Sequence, residues 1–273
     1  MLDRESMTHE EKYEKLLAYL KDLGAVVVAY SGGIDSALVL KVATDVLGEQ
    51  ALGVTADSPS VPRSELEGAK RIAASMGARH RVIATEEFQN ENYTRNPSNR
   101  CYYCKTELYG KLTAVANQEG IQYVANGTNT DDLGDHRPGL QAAEEFNVVS
   151  PLTESGFSKQ EVRELAKKLE LEIWDKPASP CLSSRVPYGS VVTVEKLSNI
   201  EEAESYLDSL GIRERRVRHF GKRARVEVNS ADMETVLASY DDILTYFNEL
   251  GFDELEVTEF RSGALNDALR IRA

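Results

Sequence analysis

The sequence predicts an α/β fold: a parallel sheet with helices on both faces, followed by a smaller C-terminal α+β domain. Three observations predict it. Five short, β-branched, apolar runs alternate with helix-like stretches over the first 170 or so residues, the pattern of parallel strands buried on both faces. The residues suited to chemistry in that region fall just after those runs, at the strand ends where such sheets bind ligands. The composition then changes around 175–190, and a new helix–strand rhythm begins.

Each element has its own signal. Thr8-x-x-Glu11 is a capping box that opens an amphipathic helix to about Leu23. The strands are "AVVVAY" (25–30), "ALGVTA" (51–56), "RHRVIA" (79–84), "IQYVAN" (121–126) and "NVVSPL" (147–152), and helices are expected over 36–47, 62–76 and 158–169. The stretch "DKPASPCLSSRVPYGS" (175–190) holds three prolines, four serines and a glycine, so it reads as a linker, yet it carries Cys181 and Arg185. Beyond it a helix (193–210), a strand pair (215–219 and 224–228), a helix (231–249) and a strand (254–258) are expected. "SYLDSLGIRERRVR" and "TYFNELGFDELEVT" share Y-x-x-x-L-G before a strand, an internal repeat of two related helix–strand units. The expected domains are therefore 1–175, a linker loop 176–190, and 191–273.

With 273 residues and 41% apolar content the chain has ample length for a core. Its longest apolar run is far too short for a bilayer, and the charged N-terminus lacks the apolar stretch of a signal peptide. A soluble, cytoplasmic protein is expected, with no membrane partner. The net charge of −13 argues against a dedicated nucleic-acid binder, whose affinity comes largely from phosphate neutralisation. One basic stretch, "RERRVRHFGKRAR" (213–225), holds seven Lys/Arg and a His against that background. It fits a small phosphorylated ligand or a salt-bridged subunit contact. A homo-oligomer is expected.

The richest stretch is "AVVVAYSGGIDSALVL" (25–40). Gly32 and Gly33 let the backbone turn tightly onto an anion, and the N–H groups of the following helix point at it. Ser31 and Ser36 add hydroxyls, and Asp35 is suited to Mg²⁺ or to a loop amide. No Gly-Lys-Ser/Thr follows, so this is not a Walker A loop. The complete S-G-G-x-D-S after an apolar strand resembles the signature of the PP-loop ATP pyrophosphatases, which have an adenine-nucleotide α-hydrolase-like fold. These enzymes cleave ATP between the α- and β-phosphates and activate an oxygen as its adenylate. "VTADSP" (54–59) and "ANGTNTDDLGDHRPG" (125–139) agree with that family.

The resemblance extends over nearly the whole chain to the LarE family, through "AYSGGIDSALVLKVA", "GDHRPGL", "ASPCLSSRVPYG", "SYLDSLG", "RVR" (216–218) and "FRSGALND". It implies an ATP-dependent sulfur transferase. The substrate would be pyridinium-3,5-biscarboxylate mononucleotide, on the way to the nickel-pincer cofactor of lactate racemase. It also implies ATP and Mg²⁺ as cofactors and a sulfide donor as partner. Ser31, Gly32, Gly33, Asp35, Ser36, Thr55 and Gly127 would bind ATP, and Asp35, Ser36 and Cys181 would be catalytic. Arg185, Arg216, Arg218 and Lys105 would hold the phosphorylated substrate, and Asp132, beside Asp131, would bind Mg²⁺. Glu204 also matches a position near the family's active site.

Cys101 and Cys104 form a C-x-x-C in "SNRCYYCKTEL", read as a loop, and Cys181 is the third cysteine. The residues alone leave four readings open: inert thiols, zinc with His136 as fourth ligand, a redox or persulfide pair, or a [4Fe–4S] cluster with one open iron. The resemblance implies the last for Cys101, Cys104 and Cys181, as in cluster-dependent tRNA thiolases. The family's other kind sacrifices a loop cysteine, and at that aligned position this chain has Pro180. A tRNA thiolase and a non-enzymatic ATP-sensing or scaffold protein are the rival readings.

Overall fold

The computed structural model describes residues 7–134 and 138–261. In chain order it contains α1 (His9–Leu23), β1 (Val26–Ala29), α2 (Ile34–Leu47), β2 (Ala51–Asp57), α3 (Arg63–Ser75), β3 (Arg79–Ala84), α4 (Glu91–Thr94), α5 (Arg100–Glu119) and β4 (Tyr123–Ala125). Then come α6 (Pro138–Glu145), α7 (Pro151–Glu154), α8 (Lys159–Lys168), α9 (Val194–Ser209), β5 (Arg215–Phe220), β6 (Arg223–Val228), α10 (Met233–Ala238), α11 (Tyr240–Glu249) and β7 (Glu254–Glu259). The chain forms two compact units. One comprises Met1–Ser58, Arg63–Glu86 and Cys101–Ser179; the other comprises Pro59–Pro62, Glu87–Arg100 and Pro180–Ala273. The second unit thus takes in two early segments, which no local composition shift announces.

The first unit is built on a four-stranded sheet in the order β3-β2-β1-β4, parallel throughout. Alternation along β1 explains why both faces are covered. Val26 and Val28 join the apolar layer of Leu16, Leu20, Leu38 and Val162, from α1, α2 and α8, while Val27 joins Tyr109, Leu112 and Ala142, from α5 and α6. The Thr8 capping box forms as expected, its hydroxyl accepting from the Glu11 N–H and the Glu11 carboxylate accepting from the Thr8 N–H. A second one, Ser158 with Glu161, starts α8.

Two expectations are corrected. Residues 147–152 make one parallel bridge, Ala125 to Val149. The Val149 N–H donates to Val124 O and its carbonyl accepts from the Asn126 N–H. Pro151 then opens α7 and Asn147 takes φ 53°, so no strand can propagate on either side of the bridge. The C-x-x-C lies on the first turn of α5 rather than in a loop. Tyr109, Leu112, Val115 and Ala116 recur at helical spacing and are buried, and the helix they anchor extends back through the cysteines.

The second unit carries a mixed sheet, β5-β6-β7, with β5 antiparallel and β7 parallel to β6. Its core gathers Val217, Val226 and Val228 with Leu207 of α9 and Phe247 of α11. The helix expected over 231–249 is two, broken at Ser239. Among the described residues, no helix is long and apolar enough to cross a membrane.

Candidate active site

In the first unit the carboxyl ends of β1 and β4 come together. The Ser36 hydroxyl accepts from the Ser31 N–H at 3.1 Å and donates to Gly33 O at 3.0 Å, and the Ser31 hydroxyl accepts from the Gly33 N–H at 3.3 Å. The turn is therefore held by its own serines. No side chain caps α2 at Gly33, and the first-turn N–H groups of Ile34, Asp35 and Ser36 have no carbonyl partner within the helix, the donor set that helix starts offer to anions. Gly32 sits at φ 75°, where a Cβ would lie 2.8 Å from the Ala69 Cβ. At Gly127 a Cβ would lie 2.6 Å from the Ser36 nitrogen. Both positions need glycine: the first for its left-handed backbone, the second because one main chain packs directly on another.

Asp35 is held from two sides. Asn129 Nδ2 donates to its Oδ1 at 3.0 Å and the Lys159 ammonium to its Oδ2. Asn129 lies in the stretch 125–139 that agrees with the family, whereas Lys159 did not stand out in the sequence; the Ser158 capping box, which puts Lys159 at a helix start, was the available signal. The Asp131 carboxylate accepts from the Lys159 N–H at 3.0 Å and the Asp132 carboxylate from the Asn129 N–H at 3.2 Å. Both aspartates thus brace the turn after β4.

Thr55 and Ser36 both lie inside the fold. Thr55 is buried, and its hydroxyl lies 2.8 Å from both Tyr30 O and His80 Nε2. A carbonyl only accepts, so the hydroxyl proton goes to Tyr30 O and His80 Nε2 must donate. Thr55 therefore pins the end of β1. Burial, and then the charge of Lys70, push the His80 pKa down, keeping the ring neutral. Ser36 is likewise buried, while Asp35 is partly exposed.

Lys105 shares α5 with the C-x-x-C, and its ammonium lies 5.7 Å from the centre of the Tyr109 ring. Cys101 is exposed and Cys104 half-buried, and the two thiols lie one helical turn apart. A pair of thiols on one helix face fits one side of a thiolate-ligated group. Among the described residues, however, no three His, Cys, Asp or Glu side chains form a group that could hold a metal ion. His136 lies outside the described residues, as do parts of "GDHRPGL" and "FRSGALND".

In the second unit, Cys181 precedes a short 3₁₀ turn, Leu182–Arg185. Arg185 is 4% exposed. It donates to Glu204 through Nε at 2.9 Å and Nη2 at 3.1 Å, and through Nη1 to the carbonyls of Pro180 and Cys181. Glu204, which matches a position near the family's active site, is thus the partner of a buried arginine. Arg218 is equally buried and donates to Ser184 O and to Glu227, each at 2.8 Å. Arg185 and Arg218 thus both make internal hydrogen bonds within the second unit. Arg216 differs: it stacks on Phe260 with its guanidinium carbon 4.2 Å from the ring centre, and no carboxylate reaches ion-pair distance of it among the described residues. Burial, then the charges of Arg185 and Arg218, lower its pKa.

A parallel sheet whose first strand runs into S-G-G-I-D-S, packed against the turn after its fourth strand, defines a PP-loop ATP pyrophosphatase fold. The NAD synthase family matches residues 10–100. An uncharacterised protein, slr1717, of Synechocystis is 46% identical over 95% of this chain and 98% of its own length. The pyridinium-3,5-bisthiocarboxylic acid mononucleotide synthase of Lactiplantibacillus plantarum is 38% identical over 94% of this chain and 95% of its own. An uncharacterised protein, MJ0830, of Methanocaldococcus jannaschii is 30% identical over 84% and 87%. The chain belongs to the LarE family of PP-loop proteins.

Proposed function

We propose that the protein is an ATP-dependent sulfur transferase that converts carboxylates of pyridinium-3,5-biscarboxylate mononucleotide to thiocarboxylates for the nickel-pincer cofactor of lactate racemase. The observation that carries this reading is the similarity to the Lactiplantibacillus plantarum synthase over 94% of this chain, joined to a self-braced loop that opens a helix with no side-chain cap.

ATP·Mg²⁺ enters as substrate. The N–H groups opening α2 take up phosphate charge, and Asp35 exchanges its Lys159 partner for the metal. Released Lys159 then turns to the pyrophosphate. A substrate carboxylate oxygen attacks the α-phosphorus; the bond to the β-phosphate oxygen breaks, giving an acyl-adenylate and pyrophosphate. A sulfur nucleophile next attacks the activated carbonyl carbon and AMP leaves. The protein's share is positioning and charge neutralisation. Arg216, with no carboxylate at ion-pair distance among the described residues, is suited to the substrate phosphate.

The sulfur comes from sulfide held with the help of Cys101, Cys104 and Cys181, or from Cys181 itself. A [4Fe–4S] cluster, when bound, would supply an iron on which sulfide awaits transfer; the thiol pair on α5 fits part of such a site. Anaerobic purification with iron and sulfide assays tests this. About four irons per chain, with Cys181 unchanged after repeated turnover, supports the cluster. Colourless, single-turnover protein with dehydroalanine at 181 refutes it and leaves Cys181 as the donor. Failure to release AMP and pyrophosphate from ATP with the substrate present refutes the whole reading.

A further inference from the structure

The loop 180–190 lacks regular structure beyond one 3₁₀ turn, yet an unusual number of its main-chain groups are claimed by one short segment of the same unit. Asn96 is fully buried, at φ 56°. Its Nδ2 donates to the carbonyls of Val186, Pro187 and Ser190 at 3.2, 2.8 and 3.1 Å, and its own carbonyl accepts from the Gly189 N–H at 2.9 Å. Arg100, 3% exposed, donates through Nη1 to Asn96 Oδ1 at 2.5 Å and to Ser183 O at 2.8 Å. The Tyr93 hydroxyl meets the Ser183 hydroxyl at 2.7 Å.

We infer that Asn96 and Arg100 are positioning residues that clamp the loop bearing Cys181 in the conformation that presents its thiol, an inference that rests on Cys181 taking part in sulfur transfer. Several features separate the clamp from ordinary packing. An asparagine that donates to three carbonyls fixes the path of the main chain, which apolar contact alone does not. Its left-handed backbone, which asparagine tolerates better than most residues, aims the amide inward. Arg100 locks that amide by holding its oxygen, so the amide cannot flip and offer oxygen to the carbonyls. Arg100 then spans to Ser183, two residues beyond Cys181. Neither residue touches the reacting atoms; each acts through the loop.

Asn96→Gly isolates the clamp, because glycine keeps the left-handed backbone and loses only the amide. Hydrogen exchange of the full chain should show the amides of Ser184, Val186 and Gly189 exchanging at least about tenfold faster. Those of β1–β4 should be unchanged. The KM for ATP should hold while the rate of thiocarboxylate formation falls at least about tenfold. Tyr93→Phe, which removes one hydroxyl from the same network, should give a smaller change in the same direction and covers the case in which Asn96→Gly unfolds. Wild-type exchange at the loop amides in folded variants overturns the clamp. A loosened loop with wild-type sulfur transfer upholds the clamp and overturns Cys181 as a participant.

Discussion

Glu204→Ala should destabilise the second unit severely. Glu204 is 12% exposed and faces Arg185, 5% exposed, through two N–H···O contacts. It also accepts from the Val217 N–H at 3.0 Å, so it caps an edge of β5 as well. Deleting the carboxylate leaves a buried guanidinium uncompensated, which costs about 3–5 kcal/mol. The charges of Arg216 and Arg218 nearby push toward the upper end. At about 2–4 °C per kcal/mol, the thermal midpoint should fall by roughly 6–20 °C. Calorimetry of the wild type, Glu204→Ala, Arg185→Met and the double variant closes a cycle. The double variant should be less damaged than the sum of its singles, because replacing both partners strands no charge. A midpoint drop under about 2 °C for Glu204→Ala, or singles that simply add, would refute the buried-pair argument.

Gly127→Ala puts a methyl 2.6 Å from the Ser36 nitrogen, so the loop must shift, and AMP formation should fall about a hundredfold; wild-type AMP release would show the loop is not packed as described. Lys159→Ala removes a partly exposed pair with Asp35, so stability should change by less than about 1 kcal/mol while AMP formation falls at least about tenfold; an unchanged rate would restrict Lys159 to a surface role. His80 has a lowered pKa, so its stabilising contribution is complete above about pH 6.5 and is lost as pH falls through the lower folded value. His80→Gln keeps a donor for Thr55 and should flatten urea-unfolding stability across that window; an unaltered pH profile would assign the window to other groups.

What could be read from the sequence was local. Thr8-x-x-Glu11 gave a helix start because a capping box closes within four residues, and S-G-G-I-D-S gave an anion loop because strand, turn and helix are contiguous. Lys159 escaped because its partner, Asp35, is 124 residues away and nothing near Lys159 announces a carboxylate. Asn96 and Arg100 escaped likewise: in "TRNPSNR" they look like polar loop residues, and only the return of 183–190 buries them. The cysteine pair was misread for another reason. The aromatic-rich start of α5 hides its period, which becomes plain only from Tyr109 onward. Thr55 was assigned by position at a strand end; its hydroxyl belongs to Tyr30 O because the neighbouring strands supply both of its partners.

The arginines of the second unit carry the charge argument one step further. Arg185 has Glu204 and Arg218 has Glu227, and both pairs are nearly inaccessible. A designless cluster of cations in so acidic a chain would be expected to collect a carboxylate for each member, since 45 Asp and Glu are available against 32 Lys and Arg. Arg216 instead has an aromatic ring, which orients a guanidinium without neutralising it. Partial burial and, after it, the charges of Arg185 and Arg218 lower its pKa, against the opposing pull of Glu227 and Glu204. That is the electrostatic condition of a site whose counter-ion arrives with a ligand: an added dianion relieves repulsion among three arginines while forming one new contact. Arg216→Ala should therefore raise stability slightly without substrate while weakening capture of a phosphorylated substrate, measured as a raised KM with ATP handling intact. Loss of stability in the unliganded protein would show that Arg216 is already satisfied, and the phosphate assignment would fall with it.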